Sequence, residues 1–322
     1  MNSTVRTILS LCAVSAVAVC SACSASGTSA NSASAMTAAK PPAVSSIPDL
    51  QSGADITMPI DAYLPSGQEA ATLYDSIDIG VAQCAKGFGI TVPVSIISDE
   101  PGATDYTRLF GVASLADAQK YGYNDPATAT GGAAAGTGGA VTQPDLTPAE
   151  TTVVVGWPDG HVSGNPDSPP KGLTYNGRTV PTGGCRGAAY RAIGLAPGFN
   201  YIQPQLAMNL SDSAFNQSQA DSRVLAVFAK WSACMKAQGF SYPNPWTPND
   251  AKWPTPVSST EIATAVADVQ CKQQVNLVGI SDAVMTAYEN VLIQQNITGL
   301  NADKTELDSA AAKAATVVAA GK

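Results

Sequence analysis

Two distant stretches of this chain carry the same punctuation, and that constrains the fold more than any other feature. Cys84-Ala-Lys-Gly-Phe-Gly89-Ile-Thr-Val-Pro93 and Cys234-Met-Lys-Ala-Gln-Gly239-Phe-Ser-Tyr-Pro243 align without a gap. Cysteine, lysine at +2, glycine at +5, an apolar residue at +6, a hydroxyl at +7 and proline at +9 coincide. Upstream, Tyr74, Ile77 and Val81 match Val224, Val227 and Trp231 at the same offsets, the spacing of an apolar helix face. Each cysteine therefore closes an amphipathic helix. The glycine supplies a left-handed C-cap, and the proline forbids further helix. A second cysteine type follows each: Cys185-Arg and Cys271-Lys, where a cation comes next and a helix opens or continues. Four cysteines allow three pairings. A duplicated helix–loop–helix unit, stapled once per copy, predicts Cys84 with Cys185 and Cys234 with Cys271. Loop closure would give these bridges about 4.7 and about 4 kcal/mol as upper figures.

The other three cysteines, of seven in 322 residues, belong to an address. Residues 1–22 hold one cation at Arg6, an apolar stretch from Ile8 to Val19 and small residues before Cys23, the pattern of an export signal. That apolar run is too short to span a bilayer comfortably. A small residue before Cys23 and a Ser/Gly-rich run after it resemble a bacterial lipoprotein signal, which makes Cys23 the acylated (palmitate-type) anchor. Cys20-Ser-Ala-Cys23 also spells a redox or zinc spacing, but it lies in or at the edge of the discarded segment. An exported chain meets an oxidising compartment, where the remaining four cysteines should pair.

Residues 23–57 read as a flexible Ser/Ala-rich tether, 58–200 as the first unit with a long insertion, and 201–298 as the second. Residues 299–322 form an Ala-rich C-terminal helix or tail. Ser114-Leu-Ala-Asp117 opens a short helix stopping at Gly122. Residues 128–139 are nearly all Ala, Gly and Thr, of low complexity. Val153–Trp157 and Arg178–Pro181 suggest one small sheet or hairpin. The fold class is thus mainly α with a small β element, in two unequal copies of a disulfide-stapled helix–loop–helix unit.

A resemblance rests on Cys-x-Lys-x-x-Gly-Phe (Cys84 and Cys234, complete at Cys234 and with Ile90 in place of the Phe at Cys84), Arg108-Leu-Phe-Gly-Val with Ala118-x-x-Tyr-Gly-Tyr123, Gly183-Gly-Cys185, Trp231-Ser-Ala-Cys-Met235 and Val269-x-Cys-Lys272. Over roughly residues 65–300 the chain resembles the uncharacterised, alanine-rich secreted lipoproteins of actinobacteria. These motifs are structural. The resemblance implies an envelope location and a shared scaffold, and carries over no functional residue.

The search for chemistry is short. With 17 Lys+Arg against 25 Asp+Glu the net charge is −8, or −9 once Arg6 leaves, which argues against nucleic acid and anionic-lipid surfaces as partners. The one histidine, His161, lies in a turn-rich loop that suits neither a triad nor a metal. No nucleophile elbow marks a serine, and the glycines of 131–139 lack the lysine of a phosphate cradle. Glu261 and Asp268 sit at ordinary helix-surface spacing. No cofactor or metal is implied. The most suggestive surface is Tyr242-Pro-Asn-Pro-Trp246 through Trp253-Pro, a proline-stiffened loop with three large aromatics beside Asn and Asp, a composition suited to sugar or extended-peptide recognition. The competing expectation is that these rings plug the space between helices; Trp231 is core. The sequence therefore reads as an extracytoplasmic, membrane-anchored, non-catalytic binding or accessory module of the cell envelope, engaging cell-wall glycan or a membrane complex. A hydrolase of envelope polymers and a spacer without ligand are the alternatives.

Overall fold

The computed structural model describes residues 38, 40–96, 105–126, 145–160, 168–196, 202 and 204–321. The signal, Cys23, segment 128–139 and His161 lie outside them.

The fold is mainly helical with one two-stranded antiparallel hairpin. Helix α1 (Gly67–Gly87) starts at a capping box in which Ser66 and Glu69 satisfy each other's backbone amides. Helix α2 (Leu115–Tyr121) runs from the Ser114 cap to Gly122, as its sequence signals require. Helix α3 (Pro148–Val155) corrects the sheet expected around Val153. Thr147 and Glu150 form a second capping box and Pro148 occupies the first turn, so nucleation overrides the β preference of three valines. The hairpin is β1 (Thr174–Tyr175) with β2 (Arg178–Thr179). Asn176 and Gly177 both take positive φ between them, the Asn-Gly signature of a tight hairpin turn.

Helix α4 (Gly184–Ala192) is joined to α1 by the Cys84–Cys185 disulfide, with Cα atoms 5.4 Å apart. Helices α5 (Gln205–Gln219), α6 (Ser222–Ala237), the short α7 (Trp246–Asn249) and α8 (Ser259–Gln274) follow. Cys234 on α6 is bridged to Cys271 on α8, Cα to Cα 5.7 Å. Both bridges are those the duplicated pattern predicts. The caps behind the pattern also coincide. Gly89 N–H donates to Lys86 O and Ile90 N–H to Ala85 O, while Gly239 N–H donates to Lys236 O and Phe240 N–H to Met235 O, all at 2.9–3.1 Å. Beyond those caps the units diverge. Cys185 sits in the first turn of α4, whereas Cys271 sits in the last turn of α8.

Helix α9 (Leu277–Gly321) is 45 residues long, roughly 68 Å at 1.5 Å per residue. It absorbs the expected C-terminal tail and serves two cores. Its first half, through Leu292, Ile293 and Leu300, packs with α5, α6 and the 3-10 turn Pro59–Tyr63 around Trp231 and Met235. Its second half, through Leu307, Ala310 and Ala314, packs with α1 and α4 around Leu73, Tyr190 and Ile193. Residue 200 does not divide these cores. Ile56, Met58, Ile60, Tyr106 and Phe110 precede it yet pack in the core of α5 and α6. Likewise Val112, Ala118 and Tyr123 pack on Ala265 and Val269 of α8.

The tether expected over 23–57 is shorter, because residues 40–57 are bound to the helices. Arg223 donates to Pro42 O at 2.8 Å, Asn276 Nδ2 to Pro48 O at 2.8 Å and Gln273 to Gln51 O at 3.1 Å. Ala38 N–H donates to Gln217 Oε1 at 2.8 Å. Val44 and Leu50 add apolar contact. Serine and alanine in this strap cover little, but its carbonyls are satisfied by side chains far along the sequence, which composition does not reveal.

Candidate functional site

The three aromatics of the 242–253 loop do not form one shelf. Trp246 opens α7, its ring set edge-on against Phe215 at 5.8 Å, and its Nε1 donates to Gln219 Oε1 at 2.9 Å. Tyr242 packs on the α5–α6 core, and its carbonyl accepts from Ser232 Oγ. Trp253 turns away, stacking on Tyr123 at 5.5 Å with 11° between planes and donating to Pro248 O. All three are half-buried.

Trp246 reaches a cavity. A pocket of about 370 Å³ is lined by Gln219, Leu225, Phe228, Ala229, Pro243, Asn244 and Trp246. Asn244 shapes its floor, its Oδ1 accepting from the backbone N–H groups of Trp246 and Thr247 at 3.0 and 3.1 Å. Its Nδ2 remains to donate. No lining residue titrates. Sequence reasoning missed Gln219, Leu225 and Phe228. The signal for Leu225 was available, since the buried face of α6 runs through Val224, Val227, Phe228 and Trp231 and Leu225 lies off it, 52% exposed.

Beneath α7 lies a closed polar cluster rather than a reactive one. Asp268 and Lys272 pair at 3.1 Å, both essentially inaccessible. Trp231 Nε1 donates to Asp268 at 2.9 Å, and Lys272 also donates to Val112 O at 2.8 Å. Burial pushes the Asp268 carboxyl up and the Lys272 ammonium down, while each partner's charge pulls the other back. Glu261 is fully buried, accepting from Tyr123 N–H and Asn124 Nδ2 at 3.1 and 3.0 Å. This corrects the expectation of surface carboxylates. Glu261 and Asp268 face α2 and α6 because α8 is covered on both sides, and their partners come from distant segments. Burial, then the Asp268 charge, raises the Tyr123 phenol.

Another buried carboxyl, Glu289 on α9, accepts from Ile60 N–H at 3.1 Å and from Ser211 Oγ at 3.2 Å. It clasps the 3-10 turn and α5 to the long helix. Burial raises it to about 7, with Asp61 and Asp282 adding repulsion. Asp282 is itself raised by burial to about 6. Glu289 is 1% exposed and lines no part of the Trp246 pocket. Among the described residues, no three His, Cys, Asp or Glu side chains are grouped to hold a metal ion, and no helix is long and apolar enough to cross a membrane.

The chain matches no known protein family, no curated protein and no solved structure. Its two disulfides fit an oxidising, extracytoplasmic environment.

Proposed function

We propose that this chain is a non-catalytic binding module of the cell envelope, held at the outer face of the cytoplasmic membrane by a lipid on Cys23. In this reading the Trp246 pocket takes a saccharide ring of the envelope. The envelope location is supported by the resemblance of the sequence to alanine-rich lipoproteins. One observation carries the choice of binding over hydrolysis: the pocket is lined by an indole, a proline, apolar side chains and two amides, with no carboxylate, imidazole or thiol. Glycoside hydrolysis needs two carboxyl groups flanking the bond. Sugar rings instead rest their C–H faces on aromatic surface while side-chain amides meet their hydroxyls. Half-burial of Trp246 also speaks against a pure spacer.

The test is co-sedimentation of the mature chain with purified cell wall, beside L225D and W253A. Leu225 is exposed at the pocket edge, so its change leaves the core intact. Trp253 lies outside the pocket and serves as the control. Binding lost in L225D and kept in W253A supports the reading; no sedimentation of the unaltered chain overturns it.

A further inference from the structure

The acidity of the whole molecule hides a helix of the opposite sign. Helix α6 carries Arg223, Lys230 and Lys236 and no carboxylate within its bounds. The acid at its cap, Asp221, is occupied: Arg223 pairs with it at 2.6 Å and Tyr288 donates to it at 3.1 Å. Its outward side presents Leu225, Ala226, Ala229, Lys230, Ala233 and Lys236, all exposed. One large apolar residue, small residues and flexible cations on one helical face is the composition of an interfacial helix, in which lysines reach headgroups while the apolar residue enters the boundary. Trp246 and Pro243 extend this face across the pocket mouth.

The strap fixes which side of the molecule meets a membrane. Ala38 is held by Gln217 at the end of α5, and Pro42 by Arg223 in the first turn of α6. Lys40, exposed between them, adds a cation. The first described residues therefore lie beside the end of α5 and the first turn of α6, where Leu225 lies. Ala38 lies fifteen residues along the chain from Cys23, a reach of at most about 54 Å. A contact too weak to hold a free protein is populated when a tether of that length keeps it near its surface.

We propose that the exposed face of α6 is a membrane-docking surface whose occupant is the anionic bilayer carrying the anchor, so that the Trp246 pocket opens at headgroup level. This rests on the lipid-anchor reading, but not on a saccharide ligand. Each lysine near an anionic surface contributes enough that losing two weakens the contact about 30-fold.

The experiment uses the full chain, processed and lipidated in cells, reconstituted into vesicles rich in phosphatidylglycerol and brominated on their acyl chains. Flotation reports the anchor. Quenching of Trp246, taken as the difference between the unaltered chain and W246F, reports the face. The proposal expects the floated chain to be quenched, with quenching reduced several-fold in K230Q/K236Q, which should float equally, and on phosphatidylcholine alone. A floated chain without quenching, or with quenching unchanged in the double variant, overturns it. In that event, cross-links from position 225 to a membrane protein would give the face to a protein partner. A chain that does not float overturns the anchor and this proposal together. Lys230 and Lys236 do not line the pocket, so cell-wall binding by the same variant tests the saccharide reading separately.

Discussion

At the scale of single residues, the molecule places charge where water cannot reach it, and the consequences depend on pH. Glu289 and Asp282 are raised from the ordinary 4.5 and 3.8 to about 7 and about 6. Folding therefore takes up protons between pH about 4 and about 7, and stability falls as pH rises through that window. Asp221 behaves oppositely. The Arg223 guanidinium holds it down at about 2 against an ordinary 3.8, so its contribution is present above pH about 4 and fades as pH falls toward 2. Stability should peak in the mildly acidic range. Thermal melts of the unaltered chain are expected to be several degrees higher at pH 5 than at pH 7.5. E289Q should flatten most of that difference, because a neutral amide still accepts from Ile60 N–H. A pH slope that is unchanged in E289Q would assign the effect to other groups.

Secondary elements show where sequence reading succeeds and where it stops. The cap pattern Cys-x-Lys-x-x-Gly is local chemistry, so both helix ends and both disulfide pairings were legible from it. The strap was not, because it is held by Asn276, Gln273 and Arg223, each more than 170 residues along the chain from its strap partner. Gly279 decides whether that docking is real. A Cβ there would lie 1.9 Å from Pro48 O and 2.5 Å from Asn276 Oδ1. Gly to Ala inside a helix ordinarily gains about 1 kcal/mol. At a closely packed contact the same methyl costs about 1–3 kcal/mol. G279A is therefore expected to destabilise in urea melts and to expose 40–57 to proteolysis; a gain in stability would mean the strap is not seated there. The carboxylates of α8 show the same limit. Glu261 and Asp268 have the spacing of a solvated face, and only the long-range covering by α2 and α6 buries them. The pocket was half legible: Trp246 was singled out, whereas the departures of Tyr242 and Trp253 follow from Ser232 and Tyr123, which no local pattern links to them.

For the whole molecule, the question is why two cores, each with its own disulfide, should behave as one body. Helix α9 is the shared element, and its two packed halves meet across residues 301–306, none of which is buried. Leu300 belongs to the core of Trp231, and Leu307 to the core of Leu73 and Tyr190. Continuity of the backbone hydrogen bonds across this exposed stretch is what transmits stability from one core to the other. Thr305 sits within it, its Oγ donating to Asn301 O at 2.7 Å. Proline at 305 would remove one backbone bond and clash with the preceding turn, at about 3 kcal/mol, without touching either core. T305P is expected to split one calorimetric transition into two. The core closed by Cys234–Cys271 should retain the Trp246 pocket and its binding, because all seven lining residues belong to α5, α6, the segment leading into α7 or the first residue of α7. A single transition at lowered temperature would show that the cores are coupled through packing outside α9. In that case the long helix would be a passenger on a body already united by its other helices.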